Sequence, residues 1–353
     1  MASKEKMLEN YLRLRRAEIN NYENARNAFI SLKKYFEEQF AAKVYFGGTI
    51  KGYSESEKQK SKTPDIIIEF PDVLDIGDIK KSVRDKREAE EWTAYQDYLK
   101  EKCITPLVDC KKILEQNKTK VGTIYLLMPT RLGKAVSNLK NKILDPVENI
   151  VLLSYSIEPL ANTMQVTIQK QTGKITEEKV EQALTLDSIN MKFGDIAELR
   201  SKYKIYEENH LTPFEYYLII IWQEVFPEAL KLGTKEAILR RYESKEEAFD
   251  YQVTLNELAN VLAGFTLPCW KNERSQFTKN ILQQVMDVLS RMLTDRVKKI
   301  PSQVENPTYL INYAPLPEKD VQNYLLSKYF STLSDKQQRA YLTESGIEKL
   351  EEY

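Results

Sequence analysis

The chain has 353 residues, 52 basic and 52 acidic, and is 42% hydrophobic. That is enough apolar material for two packed domains, and the zero net charge argues against a uniformly basic nucleic-acid binder while leaving local basic faces open. A single histidine, His210, and three cysteines without a CxxC pair exclude two-histidine metal sites, zinc clusters, disulfide frameworks and most histidine-dependent nucleophilic enzymes.

Any catalysis must then come from carboxylates, Lys, Tyr or Ser, with an oxygen-liganded metal. The charged N-terminal stretch has no apolar run, so no signal peptide is expected. The longest apolar run, residues 216–222, is too short to span a bilayer. A cytoplasmic protein without membrane contact is expected.

Residues 1 to about 42 read as one helix, with Tyr22, Ala25, Phe29, Leu32, Phe36 and Phe40 at three- and four-residue steps. "KVYFGGTIKGY" follows as a short strand and glycine loop, then the polar loop "SESEKQKSK". "TPDIIIEFPDVLDIGDIKKS" (residues 63–82) reads as two strands joined at Pro71-Asp72. A helix ending before Pro106, a buried-type strand "VGTIYLLM", a short helix over about residues 131–142 and a strand over 149–156 come next. This order of elements predicts a mixed α/β layer arrangement. A hairpin is expected around Thr172-Gly173, and the chain turns mostly helical after about residue 200.

The hairpin at Pro71-Asp72 carries acids among its greasy residues. If Phe70 faces Val73, Asp65 lies directly opposite Asp78, with Lys80 two residues further on the same face. Asp75 is expected to face away, toward the turn or solvent. Two carboxylates held that close repel unless a cation neutralises them. Mg2+ suits one or two carboxylates with waters and phosphate oxygens, and Mn2+ can substitute. A neighbouring ammonium orients or deprotonates a water, or stabilises developing charge. Two acids and a lysine around a metal make a phosphodiester-cleaving site.

Pro64-Asp65, twelve intervening residues and Asp78-Ile79-Lys80 together resemble the PD-(D/E)xK nuclease superfamily, which includes restriction endonucleases and RecB-like and Holliday-junction nucleases. The resemblance covers about residues 17–156 and implies a restriction-endonuclease-like mixed sheet flanked by helices. It implies that Asp65 and Asp78 bind the metal and that Lys80 positions the attacking water. It also implies a glutamate from the preceding helix, Glu37 or Glu38, with Glu37 preferred. By likeness to RecB-like members, Gln96 joins the site, with Tyr95 or Tyr98 nearby. The basic run Lys80, Lys81, Arg84, Lys86 and Arg87 would neutralise substrate phosphates.

In the second half, Thr212 is expected to cap a helix begun by Pro213, and Thr254 with Glu257 forms a capping box closed by Gly264. A long helix over about residues 274–293 precedes a strand–loop–strand. This succession resembles a winged helix-turn-helix, in which the later helix enters the major groove and the wing touches backbone. Residues 271–299 hold seven basic and three acidic side chains, a local net of +4. The amides Gln276, Asn280, Gln283 and Gln284 would read bases, with Arg274 and Lys279 beside them, and Lys298 and Lys299 would meet phosphates.

The expected domains are thus residues 1–200, nuclease-like, and 201–353, a mainly helical, winged-helix-like region for DNA or a partner protein. The expected activity is Mg2+-dependent cleavage of DNA in restriction or phage defence, with RNA open as a substrate and a defence-system protein as a partner. Double-strand cutting calls for two active sites, which a homodimer would supply. The alternative is a non-catalytic DNA-binding or scaffold protein with a degenerate nuclease fold, or a nuclease that cleaves RNA or needs a partner.

Overall fold

The computed structural model describes residues 4–48, 50–52, 60–83, 92–143, 149–160, 163–192, 199–205, 212–232, 249–270, 275–301, 306–313 and 320–341. The chain divides into two compact units. One holds residues 21–202 with 267–270. The other holds, of the described residues, those from 4 to 20, from 203 to 266 and from 275 to 341. The sequence-expected domains were contiguous, whereas the first turns of the N-terminal helix group with the second unit.

The first unit is an α/β layer structure. Helix α1 (Lys4–Phe40) is followed by strands β1 (Lys43–Phe46), β2 (Ile50–Gly52), β3 (Lys60–Lys62), β4 (Ile66–Glu69) and β5 (Leu74–Ile79). Then come α2 (Trp92–Leu99), α3 (Thr105–Gln116), β6 (Val121–Pro129), α4 (Gly133–Asn138), β7 (Ile150–Leu160), β8 (Thr163–Thr172), α5 (Glu178–Leu186) and β9 (Ile189–Lys192). Seven strands form one mixed sheet in the order β1-β4-β5-β6-β7-β8-β9, while β2 and β3 pair with each other. The pairs β5–β6 and β6–β7 are parallel, and the others are antiparallel. Residues 268–270 run along the free edge of β1, where the Phe46 amide donates to the Pro268 carbonyl at 3.1 Å.

Alternation sorts the strand residues onto two faces. Ile67, Ile76, Ile124, Leu126 and Leu152 join Tyr95, Leu99, Cys103 and Leu107 in one core. On the other face Phe36 of α1 meets Phe70 and Tyr125, with ring centroids 6.4 and 5.9 Å apart. Both layers are needed because a sheet with parallel strands is buried on each side.

Three local expectations change. The helix expected to stop before Pro106 continues: α2 passes through a π-helical turn, Lys100–Ile104, into α3, with Pro106 in the first turn of α3. The widened turn lets the Thr105 amide reach back to the Lys100 carbonyl, and proline is harmless at a helix start, where its missing N–H has no partner to lose. No hairpin turns at Thr172-Gly173. The preceding strand β8 pairs with β7 down to Leu160↔Thr163, and with β9. Gly173, at φ +94, packs so tightly that a Cβ would lie 2.3 Å from the Ile150 carbonyl. The chain turns there into α5. Asp75, expected near the turn or solvent, is wholly buried.

In the second unit, α6 (Phe214–Ile220) and α7 (Phe226–Ala229) flank a π-helical turn, Ile221–Val225. The N-cap of α6 is Pro213, and no side chain caps it, so the helix starts one residue later than expected. Then follow β10 (Phe249–Thr254), α8 (Leu255–Gly264), α9 (Ser275–Met292), β11 (Val297–Ile300) and β12 (Thr308–Tyr313). Helices α10 (Val321–Thr332) and α11 (Asp335–Ala340) complete it. The three strands order β10-β12-β11, all antiparallel. The Thr254–Glu257 capping box forms as its spacing predicts. In the same unit the Tyr11 hydroxyl of α1 donates to Glu215 at 3.2 Å.

Candidate active site on the β4–β5 hairpin

The turn fixes the geometry. The Phe70 amide donates to the Val73 carbonyl at 3.0 Å, and the strands pair from Glu69↔Leu74 to Ile66↔Gly77. One further residue in that register sets Asp65 across from Asp78. Asp65 Oδ2 accepts the Ile79 amide at 3.0 Å, which ties the first acid to the strand carrying the second. Asp65 is 2% exposed and Asp78 8%.

Lys80 closes the constellation. Its ammonium is ion-paired with Asp78 Oδ2. Burial pulls the Lys80 pKa down, but Asp78 and then Asp65 overcome this and hold it above the usual lysine range. A lysine so held donates hydrogen bonds and does not accept a proton at neutral pH. Cys103 shares this face: burial pushes its thiol up to about 12, against the pull of Lys80, so it stays protonated and inert.

The remaining expected residues lie elsewhere. Glu37 is on α1, on the opposite side of the sheet; its carboxylate pairs with Lys33 and accepts the Val44 amide at 3.1 Å. Val44 pairs with Ile68, three positions along β4 from Asp65. Glu37 therefore pins the start of β1 and is not brought to the acids. Glu38 pairs with Lys34 at 3.1 Å. Gln96 is half-buried on α2, where Tyr95 and Tyr98 stack with centroids 6.2 Å apart. Arg84 and Arg274 fall outside the described residues, as does the side chain of Gln276. Lys81 lines a cleft on the α1 side of the sheet. Lys279 is half-buried on α9, and Asn280, Lys298 and Lys299 are exposed; Lys299 pairs with Asp287 at 3.6 Å.

Asp75 was missed by sequence reasoning. Its Oδ1 accepts the Thr123 amide at 2.7 Å. Its Oδ2 and the Tyr125 hydroxyl are buried without a well-aligned partner. Burial pushes the Asp75 carboxyl up to about 7, against the lowering effect of the Thr123 amide. Gly122 makes the room, since a Cβ there would lie 2.5 Å from Asp75 Oδ1. A glycine in the facing strand is the one signal of this in the sequence.

Among the described residues, no three His, Cys, Asp or Glu side chains gather to hold a metal ion. Asp65 and Asp78 supply two hard oxygen donors, which is the donor type and number Mg2+ takes when waters and phosphate oxygens complete its shell. Among the described residues, no helix is long and apolar enough to cross a membrane. Compared with protein-family models, curated proteins and solved structures, the chain matches none.

Proposed function

We propose that the chain is a Mg2+-dependent nuclease that hydrolyses DNA phosphodiester bonds at Asp65, Asp78 and Lys80. The observation that carries this reading is the hairpin register, which sets two buried carboxylates across from each other with a charged lysine paired to one of them. The succession α1, β1, hairpin β4–β5, helix α2–α3 and strand β6 supports it. That is the order implied by the resemblance to the PD-(D/E)xK nucleases and their restriction-endonuclease-like fold.

Asp65 and Asp78 would hold the ion, which when bound neutralises the paired carboxylates and polarises the phosphoryl group. Asp65 stays oriented by the Ile79 amide. Lys80, kept protonated, donates to the attacking water or to a phosphoryl oxygen and opposes the negative charge that develops there. Lys80 is placed to act as a positioning and charge-stabilising group, with the proton leaving the water passing to solvent or substrate.

The second unit supports a nucleic-acid role. Its run of strand, two helices and two strands, with sheet order β10-β12-β11, is winged-helix-like, and the exposed Lys298 and Lys299 lie on the strand that begins the wing.

Incubating the purified chain with Mg2+ and either plasmid DNA or structured RNA tests the reading. Cleavage is expected for the parent chain and is lost in Asp65→Ala and Asp78→Ala with the fold intact. Undiminished cleavage by both variants rejects the assignment. Retained DNA affinity with no cleavage by the parent identifies a non-catalytic binding protein instead.

A further inference from the structure

The seven-stranded sheet begins at β1, an edge strand of four residues. A strand that short frays unless its open side is paired. Residues 267–270 pair it. They belong to the same unit as the sheet, although in the chain they lie between α8 and α9. They run parallel to β1, with Phe46 bridged to Cys269. The Phe46 amide donates to the Pro268 carbonyl at 3.1 Å, and the Trp270 amide donates to the Gly47 carbonyl at 3.2 Å. The Cys269 thiol lies 3.6 Å from that same Gly47 carbonyl.

Gly47 carries this bracing to the candidate site. Its amide donates to the Asp65 carbonyl at 2.8 Å. Asp65 stands one residue before β4, beyond the last β1–β4 pair, Phe46↔Ile66. It is therefore held from two sides, its backbone by Gly47 and its carboxylate by the Ile79 amide at 3.0 Å. Two hydrogen bonds through one residue connect Trp270 to Asp65. The glycine pair makes that route possible. Gly47 is left-handed at φ +41. Gly48, at φ +146, lies so close to Trp270 that a Cβ would stand 3.1 Å from both the Cβ and the carbonyl oxygen of Trp270. Trp270 itself is half-buried against the core that includes Tyr95 and Cys103, which fixes the other end of the brace.

We propose that Trp270 is a positioning residue for the cation site: through Gly47 it fixes the Asp65 backbone, so that the Asp65 carboxylate meets Asp78 at the separation one ion requires; this rests on the nuclease reading above. Mg2+ demands near-ideal geometry at about 2.0–2.1 Å from its oxygens. A ligand backbone free to move by about 0.5 Å no longer offers that geometry. Partners one step removed from a metal ligand are typically worth about 10–100-fold in metal affinity. Trp270 acts at two bonds' remove from Asp65 and touches neither ion nor substrate in this role.

The test reads the cation site without cleavage. Mn2+ stands in for Mg2+, and its binding to the full chain is followed by electron paramagnetic resonance in the absence of DNA. Trp270→Ala and Gly48→Ala are each expected to bind Mn2+ about tenfold more weakly or worse, with faster amide exchange at Gly47 and Ile79. Trp270→Phe recovers part of the affinity, because a ring still packs against the core. Val166→Ala empties a wholly buried position on β8, toward the other edge of the sheet. It is expected to lower the melting temperature and leave Mn2+ affinity unchanged. An equal loss of affinity in Val166→Ala and Trp270→Ala reduces Trp270 to ordinary packing and overturns the proposal. Parent-like Mn2+ binding by folded Trp270→Ala overturns it as well. Should Trp270→Ala fail to fold, Gly48→Ala, which keeps the indole, gives the answer in the same terms. Asp65→Asn separates the two readings. If Mn2+ binds equally to the parent and to Asp65→Asn, or to neither, the nuclease reading fails. Exchange at Gly47 and Ile79 then decides the brace alone, and unchanged rates in Trp270→Ala reject it.

Discussion

Asp65 Oδ2 accepts the amide of Ile79 across the hairpin at 3.0 Å, so the first acid serves the fold as well as the site. The two roles separate by substitution. Asp65→Asn keeps an acceptor for the amide and is expected to melt near the parent. Asp65→Ala leaves a buried N–H unsatisfied and is expected to lose about 1–3 kcal/mol. Both are expected to cut DNA at least about a hundredfold more slowly, the scale of losing one charge-stabilising group. Thermal melts and single-turnover cleavage read the two effects independently.

Lys80 gives a pH signature. Its folded pKa lies above the ordinary lysine value because of Asp78 and Asp65. Its stabilising contribution is therefore complete below pH about 10.4 and is lost as pH rises through the folded value. Urea titrations from pH 8 to 12 are expected to be flat in this contribution up to about pH 10.4 and to show the onset of the alkaline loss above it in the parent, with a smaller one in Lys80→Met. Lys80→Met is also expected to be less stable at neutral pH, because it leaves the buried Asp78 without its cation. If Lys80 is a donor, as proposed, the cleavage rate of Lys80→Met falls without the parent's pH–rate limb moving; a limb that disappears with Lys80 would make it the base.

Asp75 titrates in the opposite sense to a salt-bridged acid. With a carboxyl pKa of about 7 against about 3.9 unfolded, the folded state holds the proton more tightly. The Asp75 contribution to stability is greatest below pH about 4 and falls as pH rises toward 7, by something on the order of 4 kcal/mol. Asp75→Asn is expected to flatten that slope and to raise the melting temperature at pH 8. Gly122→Ala drives a Cβ into Asp75 Oδ1 and Val73 Cγ2, at 2.5 and 2.8 Å, and is expected to cost about 1–3 kcal/mol. Parallel pH profiles for the parent and Asp75→Asn from pH 4 to 8 would refute the account of Asp75.

Lys298 and Lys299 are exposed on β11. Replacing both with Gln is expected to weaken DNA binding and to lower the salt slope by up to about two. Lys299 contributes the lesser part, because Asp287 already pairs with it. Equal slopes for parent and variant would remove this strand from the nucleic-acid interface.

The site was legible where its geometry is local. Pro71-Asp72 fixes the turn, the turn fixes the register, and the register places Asp65 and Asp78. Lys80 follows from alternation alone. The readings that failed depend on partners far along the chain. Asp75 looks like any acid near a turn until Gly122 and Thr123 of β6 arrive beside it. Glu37 sits on a helix whose length was plain, but its partner, the Val44 amide, depends on how α1 returns to the sheet. Pro106 reads as a helix stop because local propensity contains no hint of the π-helical turn that accommodates it. The bond from Trp270 to Gly47 joins segments that no spacing in the sequence brings together.

The hairpin also sets how the site is lost. Asp78 lies on β5, and Asp65 and Lys80 each lie one residue beyond the two adjacent strands closed by one tight turn, so a single short-range zipping event, on a scale of about 1–10 μs for hairpins, brings them together. Shielding them requires the later crossover through α2 and α3 to β6. Opening the hairpin therefore disperses all three groups of the candidate site at once. Amide exchange at Ile79, whose N–H is held by Asp65, should report that opening directly: the protection of one backbone proton doubles as a clock for the integrity of the whole reactive constellation.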